Sequence, residues 1–462
     1  MLDLNAAAVQ GLLPQERAAL NELVDVYNSH ETKNLEKERY YEGKISLSEV
    51  NLGIALPDGL RKLEIGCAWG AKTVDVLAGL SMFDGFVGVN GEAVSELDRI
   101  ATENRLIPEY SKACADELKF GCSFATLSAD RKMGCKIRFH SPLSAAALWS
   151  GEKGRISCGF AIIDTATDSV TGAKNVPVLI NYYTDDAVLV LRRERSVWIA
   201  ERHRHRMGRP LMVPLIWNAT NKKPFGRSRI KEPIRRLIQG FVRTVANATI
   251  GLEFATAPQK YLLGVTDDQF DAVVNQKFRQ YVGSILAATT NPETGDKPDF
   301  GQLPQGSISP HVDMMRILAT QFSAATGLPV TDTGIVNDAN PTSSDAILAQ
   351  SRTLIRQAED LNAGNGEALR LIARMALAIS RDSTLEALSP EEADVMAQFK
   401  NPAMPTIAAT ADAAVKIAGV RPEFAKTDAF FEMLGFDQAF IRRVKAQEQR
   451  ARGLALFEEL DA

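Results

Sequence analysis

Hydrophobic residues recur at helical spacing in several long stretches of the chain. The pattern predicts helices over residues 14–41, 107–119, 230–253, 309–326 and 342–381. Between Ile234 and Val245 the apolar side chains return every three or four residues, so one face of that helix is expected to be buried. The last stretch contains Asn362–Gly366, and the glycines there predict an interruption and a bend.

Between residues 124 and 217 the pattern changes to short runs in which apolar and polar residues alternate. The runs are Phe124–Leu127, Lys136–Phe139, Cys158–Asp164, Val178–Tyr183, Ala187–Leu191 and Ser196–Ala200. Because glycine, aspartate and asparagine turns separate them, they predict an antiparallel β region. A small α/β unit is predicted over residues 254–306, with strands at Lys260–Val265 and Tyr281–Ala287 around a helix near Asp267–Phe278. The expected fold class is α+β.

A polar loop of about thirteen residues joins the last two of the long helices, which is long for a compact domain and typical of a functional segment. Asn340-Pro341 breaks the chain there, since the residue before a proline is driven out of the helical region. Thr342 and Asp345 then fit a capping box at the start of the next helix.

Composition narrows the class of protein without naming it. The chain has 45% hydrophobic and 24% charged residues, a mean hydropathy of −0.11 and a net charge of −4. It can bury a core, but it is not a protein that coats nucleic acid with a uniformly basic surface. The five cysteines form no CxxC pair, so reduced thiols are expected. We expect no signal peptide and no membrane span.

Two local patterns suggest a ligand or metal site. Leu63–Gly70 resembles the strand and glycine turn of an S-adenosylmethionine-dependent methyltransferase, and the same text to Thr73 resembles a phosphate loop. The methyltransferase pattern requires a second parallel strand that ends in an acid, and no such strand follows. The phosphate-loop pattern requires a glycine directly before the lysine, and this segment has none there. His203 and His205 could share a metal on one face of a strand, but the surrounding arginines disfavour a cation. A basic edge facing another subunit or nucleic acid is the favoured interpretation.

Other elements are similar, in order, to those of the portal proteins of tailed bacteriophages, and closest to the siphophage branch. The matching text is Tyr40-Tyr-Glu-Gly43, Trp69 to Phe86, Phe120–Phe124, Gly226-Arg-Ser-Arg-Ile230, Thr326-Gly-Leu-Pro329 and Asn340–Ala346. The resemblance spans about residues 15–380 and is most specific at 224–245 and 323–351. The region after about residue 385 has no match to the family pattern.

The resemblance implies a portal fold with an α/β wing, long stem helices and a small α/β clip. The implied divisions are a wing at 1–223, a stem helix at 224–253, a clip at 254–306, a second stem helix at 307–327, a tunnel loop at 328–341, a long kinked wing helix at 342–384 and a helical crown at 385–462.

The function implied by the resemblance is structural. About twelve copies would form a ring at one vertex of the capsid, assembled in the host cytoplasm and carried in the virion. Double-stranded DNA would pass through its channel without sequence specificity. The implied partners are the major capsid protein, a scaffold protein, the terminase large subunit and a head–tail adaptor. No catalytic, cofactor-binding or metal-binding residue is expected. A methyltransferase-like enzyme and a head-morphogenesis protein without a channel stay open as alternatives.

Three sets of residues are expected to carry that function. The DNA channel set, from the tunnel loop, is Thr331, Asp332, Thr333, Asn337, Asp338 and Asn340. The subunit-interface set is Arg227, Arg229, Arg235, Arg236 and Arg243, and the set for docking an adaptor or the terminase is Asn291, Glu293, Asp296 and Lys297. The loop from 330 to 341 contains no lysine or arginine, which suits weak contact with a sliding phosphate backbone.

Overall fold

The structure is a computed structural model in which α-helices and antiparallel sheets build an α+β fold. It describes residues 2–45, 65–88, 91–167, 172–194, 197–256, 260–263, 295, 299–302, 307–335, 344–403, 407–436, 440–441 and 443–451. The predicted helix near Asp267–Phe278 and the predicted strand Tyr281–Ala287 lie outside these residues.

The helices predicted from apolar periodicity are present, with boundaries within a few residues of those expected. The helices among the described residues are α1 Pro14–Tyr41, α2 Trp69–Leu80, α3 Gly91–Glu103, α4 Leu106–Phe120, α5 Glu232–Thr256, α6 Ser309–Thr326, α7 Ser344–Ser380, α8 Pro390–Ala393, α9 Ile407–Val420 and α10 Asp428–Met433. The five predicted ones are α1, α4, α5, α6 and α7. The predicted interruption at Asn362–Gly366 is wrong, because α7 runs through it as one helix. Buried Leu361, Asn365 and Leu369 hold that stretch against the core, and tertiary packing outweighs the low helix propensity of glycine.

The predicted antiparallel region is confirmed as two sheets. The strands of these two sheets are β4 to β11. All strands among the described residues are β1 Lys44–Ile45, β2 Ile65–Gly66, β3 Phe83–Val87, β4 Cys122–Asp130, β5 Gly134–His140, β6 Ala145–Ser150, β7 Arg155–Ala166, β8 Val176–Tyr183, β9 Ala187–Glu194, β10 Val197–Arg204, β11 Met212–Ile216, β12 Lys260–Leu263, β13 Asp299–Gln302 and β14 Met396–Phe399. One sheet has the order β10-β9-β8-β7-β6, and the other has the order β11-β4-β5.

Each of these sheets packs on helices and so closes one of two cores. Helix α1 covers the five-stranded sheet through Leu20, Leu23 and Tyr27, against Phe160 and Trp198. The three-stranded sheet packs on α4 and α7, and its core continues into α2, α5 and α6. The long helices are therefore anchored in the same core as the sheet.

The region after residue 385 is not purely helical, which corrects the expectation for the crown. Strand β14 pairs antiparallel with β3, and Phe399 packs edge-on against Phe83 and Tyr110. Ala397 and Phe399 thus pack against the main core. The helices α9 and α10 follow after this strand.

Helices α5 and α6 pack side by side and are connected through the segment that contains β12 and β13, an antiparallel pair. Gly240 of α5 faces Leu318 of α6, and a Cβ atom added at Gly240 would lie 3.3 Å from the Leu318 side chain. The buried side chains Ile234, Ile238 and Val242 line the same helix. The absence of a side chain at Gly240 allows the two helices to approach closely.

Candidate site at the junction of the long helices and the loop

Trp69 connects four elements at one point. Its ring lies between Phe241 of α5 and Phe322 of α6, with ring centroids 4.4 and 4.6 Å away. Its indole Nε1 donates a hydrogen bond of 3.1 Å to the carbonyl oxygen of Thr333, at the start of the loop. Trp69 begins α2 and is 4% exposed. This buried indole therefore fixes the long helices and the loop to α2.

The position of Trp69 depends on a close approach of α1 and α2 next to it. A Cβ atom added to Gly70 would lie 1.9 Å from the carbonyl oxygen of Tyr40, at the end of α1. No side chain fits in that space, so glycine is required there. Tyr41 adds a hydrogen bond from its hydroxyl to Asp75 Oδ1 of α2 at 2.9 Å.

The loop begins as an ordered turn. Helix α6 ends at Thr326, and Gly327 follows with a φ of +78°, a left-handed conformation that suits glycine. The Ser323 hydroxyl donates to the Leu328 carbonyl oxygen at 2.6 Å. Residues Val330–Thr333 then form a single 3-10 turn that ends at Gly334.

The structure divides the predicted channel residues. Thr331 is exposed and Asp332 is half-buried. Thr333 is buried, and its hydroxyl donates to the Val330 carbonyl oxygen at 2.6 Å. A channel role for the Thr333 side chain is therefore wrong, because that side chain packs inside its own chain. Asn337, Asp338 and Asn340 lie outside the described residues, as does the predicted cap at Thr342.

Among the predicted interface arginines, Arg229 is bound within its own chain. Its side chain is 7% exposed and binds three groups of its own chain. Nε donates to the Thr73 carbonyl oxygen at 2.6 Å, Nη1 to Gln357 Oε1 at 2.7 Å and Nη2 to the Thr326 carbonyl oxygen at 2.9 Å. Burial lowers the pKa of Arg229 to about 10. The residue clamps α2, α6 and α7 together and does not lie on an exposed face.

The other predicted interface arginines differ among themselves. Arg235 is bound to Glu36 of α1, with 2.5 Å between Nη1 and Oε2, so it is also engaged within the chain. Arg236 is exposed and pairs with Glu232 one turn earlier at 2.7 Å. Arg227 and Arg243 are exposed as well. Arg236 and Arg243 are seven residues apart on α5 and share one face of that helix.

A cavity of about 480 Å³ opens beside Arg229. It is lined by Thr73, Ile216, Trp217, Asn218, Ala219, Arg229, Lys231, Ile234, Ala325, Thr326, Gln357, Asp360 and Leu361. Its wall therefore combines the end of α6, the start of α5, a turn of α7 and the segment after β11. The guanidinium of Arg229 lies 5.8 Å from the centre of the Trp217 ring.

A second polar group lies deep in the core between α4 and α7. Glu117 is fully buried, and its Oε2 accepts a hydrogen bond of 2.7 Å from Asn365 Nδ2. The same amide nitrogen donates to the Tyr110 hydroxyl at 2.9 Å. Burial raises the pKa of Glu117 to about 8, so the carboxyl group is mostly protonated at neutral pH. Sequence reasoning missed this acid, although it lies on the apolar stripe of α4.

The enzyme alternatives find no support in the geometry. Strand β2 has two residues and pairs antiparallel with β1, and every described strand pair is antiparallel. A methyltransferase fold needs a parallel sheet at that turn. Thr73, the last residue of the phosphate-loop text, is buried and donates its hydroxyl to the Trp69 carbonyl oxygen at 2.8 Å.

The remaining candidate sites are the histidines, the cysteines and the predicted docking residues. His203 Nε2 lies 3.4 Å from Glu201 Oε1. Within the described ranges, no three His, Cys, Asp or Glu side chains are grouped so as to hold a metal ion. No described helix is long and apolar enough to cross a membrane. All five cysteines are buried and free. Asn291, Glu293, Asp296 and Lys297 lie outside the described residues.

Comparisons with known proteins agree on one family. The model of the family "Phage portal protein, SPP1 Gp6-like" matches residues 21–427. The portal protein of Mycobacterium phage D29 is 24% identical over 411 residues, which cover 87% of this chain and 82% of the relative. The portal protein of Mycobacterium phage L5 is 25% identical over 384 residues, which cover 80% of this chain and 75% of the relative.

Two solved structures are also similar to this chain. One is a chain in the virion of a native gene transfer agent particle, with a TM-score of 0.45 and 12% identity, covering 88% of this chain and 99% of that one. The other lies in the neck of a native particle of the same kind computed with C12 symmetry, with a TM-score of 0.41, 13% identity, and coverage of 85% and 93%. Because the family model matches most of the sequence, this chain belongs to the SPP1 Gp6-like family of phage portal proteins.

Proposed function

We propose that copies of this chain form a ring with a central channel through which double-stranded DNA is packaged and ejected. The observation that carries the proposal is the anchored start of the tunnel loop. Trp69 holds the Thr333 carbonyl and is itself fixed between the two long helices. A loop that leaves a rigid junction in this way can present its polar tip at a constant position in a channel.

The composition of the loop suits DNA that slides. Each lysine or arginine that contacts a phosphate releases counterions and adds to binding, so a basic channel would hold the duplex. Residues 330–341 contain acids and amides but no basic residue. We infer that Thr331, Asp332, Asn337, Asp338 and Asn340 contact the duplex weakly and without sequence specificity.

Two exposed faces suit the contact between neighbouring subunits. Arg236 and Arg243 lie on an exposed face of α5, and on α6 the apolar side chains of Met314 and Ile317 are 44% and 52% exposed. A ring interface joins two different surfaces, so a basic face and an apolar face on one subunit are compatible with it. Arg227 is the third exposed arginine of the proposed interface.

The proposed ring contains about twelve subunits and occupies one capsid vertex after assembly in the host cytoplasm. We infer contacts with the major capsid protein, a scaffold protein, the terminase large subunit and a head–tail adaptor. The last two would dock at the clip, where Asn291, Glu293, Asp296 and Lys297 are the proposed contact residues. The protein itself would catalyse no reaction.

A charge-reversal experiment tests the channel. Replacing Asp332 and Asp338 by Lys adds two phosphate-binding charges to each subunit. Rings should still form, and packaging should slow or stall, most strongly at low salt where screening is weakest. The matched control is Glu152→Lys with Asp164→Lys, exposed acids in the turn between β6 and β7 and in β7. If the loop variant fills heads at the same rate as this control at low salt, the loop is not on the DNA path.

A further inference from the structure

We propose that the cavity beside Arg229 is a socket for a carboxylate side chain from the neighbouring subunit. The inference rests on the proposed ring and specifies one of its contacts. The cavity lies where the end of α6 meets the start of α5 and a turn in the middle of α7, and Arg229 in its wall binds the Thr326 carbonyl oxygen at the end of α6.

The first step concerns charge. Arg229 is 7% exposed, yet its three bonded partners are two carbonyl oxygens and an amide oxygen. Within the part of the chain that the structure describes, no carboxylate lies within ion-pairing distance of this guanidinium. A buried cation is normally paired with an anion, because neutral acceptors offset only part of the loss of hydration. Among the described residues, this charge therefore has no counter-ion.

The second step concerns the donors that remain. A guanidinium carries five N–H groups in a planar fork, and three of those on Arg229 donate within the chain. Two N–H groups remain on Nη1 and Nη2, and the residue lines the cavity. A carboxylate matches this fork in shape and charge, with two oxygens able to accept parallel hydrogen bonds.

The third step concerns the source of the carboxylate. A cavity of about 480 Å³ can admit a side chain but not a DNA duplex. Besides Arg229, its lining includes one base and one acid, Lys231 and Asp360, so the lining as a whole is positively charged. Asp360 already pairs with Arg356, with 3.3 Å between Oδ1 and Nε. The cavity is lined by residues of α5 and α6, the same two helices that carry the exposed faces of the proposed subunit contact. We therefore place it at that contact, where the next subunit in a closed ring can supply an acid.

The test introduces a carboxylate from the same chain. Ala325 is exposed and lines the cavity, whereas Ala324 is exposed one residue earlier and does not line it. Ala325→Glu should fill the socket from within. Ala325→Gln has the same size without the charge, and Ala324→Glu has the same charge outside the cavity. Arg229 itself is unsuitable for substitution, because it also clamps three helices of the fold.

We expect Ala325→Glu to raise the melting temperature of the isolated subunit by about 2 °C, because a buried charge becomes paired. The subunit concentration at half-maximal ring formation should rise about tenfold relative to Ala325→Gln and Ala324→Glu, since the neighbour's acid is excluded. Light scattering and calorimetry measure the two quantities.

If the three variants had the same melting temperature and the same subunit concentration at half-maximal ring formation, the proposed carboxylate socket would be refuted. If inorganic phosphate raised the melting temperature of the unmodified subunit while Ala325→Glu assembled normally, the cavity would be a site for a free anion. If the unmodified protein formed no rings, the proposed function would fail, and a neighbouring subunit would be refuted as the source of the carboxylate. The melting temperature of Ala325→Glu would still decide whether Arg229 accepts a carboxylate.

Discussion

The buried acid Glu117 gives the most quantitative prediction. Its Oε2 is bonded to Asn365, whereas Oε1 has no hydrogen-bond partner among the described residues, nor does Oδ1 of Asn365. Glutamine has the shape of a protonated glutamic acid and carries an amide NH2, with two N–H donors, in place of the acid O–H. Glu117→Gln should therefore preserve the packing and remove the titration.

The expected magnitude follows from the pKa. Burial raises the pKa of Glu117 from an ordinary 4.5 to about 8, so the folded protein binds a proton that the unfolded chain releases. The stability that the protonated Glu117 carboxyl contributes is fully present below its pKa in the unfolded chain, and it is lost as the pH rises through its pKa in the folded protein. At pH 7 the loss corresponds to about 3 kcal/mol, since each pH unit contributes about 1.4 kcal/mol. The variant should be more stable at pH 7 by an amount of that order.

Urea unfolding of the subunit between pH 5 and pH 9 tests the prediction. The unmodified protein should lose stability steadily up to about pH 8, and the slope contributed by Glu117 should be absent from the variant. Glu109→Gln, at a half-buried position of the same helix where the carboxylate pairs with Lys112, serves as the control and should keep the slope of the unmodified protein. Parallel curves for the unmodified protein and Glu117→Gln would refute the reasoning.

Three further variants test other contacts. Trp69→Phe removes the hydrogen bond to the Thr333 carbonyl but keeps an aromatic ring, and should lower the unfolding free energy by about 1–3 kcal/mol in calorimetry; unchanged stability would contradict the anchor. Gly70→Ala should destabilise by at least about 2 kcal/mol, since its Cβ would clash with Tyr40, whereas Gly79→Ala on the same helix meets no atom within 4 Å and should be neutral or stabilising. Arg236→Glu with Arg243→Glu should reduce ring formation in light scattering, unlike Arg131→Glu with Lys132→Glu in the exposed turn after β4; equal assembly would remove that face from the interface.

The sequence predicted those parts of the fold that local pattern determines. Helices α1, α5, α6 and α7 have long apolar stripes at helical spacing, and only a helix places all the residues of such a stripe on one face that can be buried. The alternating runs likewise predicted the antiparallel strands β4, β5 and β7 to β10. Strand β14 was missed, because four residues near the end of the chain carry little periodic signal and are defined by their pairing with β3.

The errors at the candidate site arise from tertiary contacts. Arg229 lies in the irregular segment before α5, where no periodicity separates a buried arginine from an exposed one. Asn362–Gly366 has a composition that favours a bend, but the buried Asn365 holds α7 continuous. The sequence did contain a signal for the buried pair Glu117 and Asn365. Glu117 follows Tyr110 and Cys114 at helical spacing, and Asn365 lies between Leu361 and Leu369, so both polar residues interrupt apolar stripes.

Electron microscopy of the purified, unmodified protein tests the central claim most directly. The proposed function predicts closed rings with a central opening wide enough for a DNA duplex and with the tunnel loop at its narrowest level. Class averages that show only monomers, dimers or solid particles, over a range of salt and protein concentrations, would contradict it.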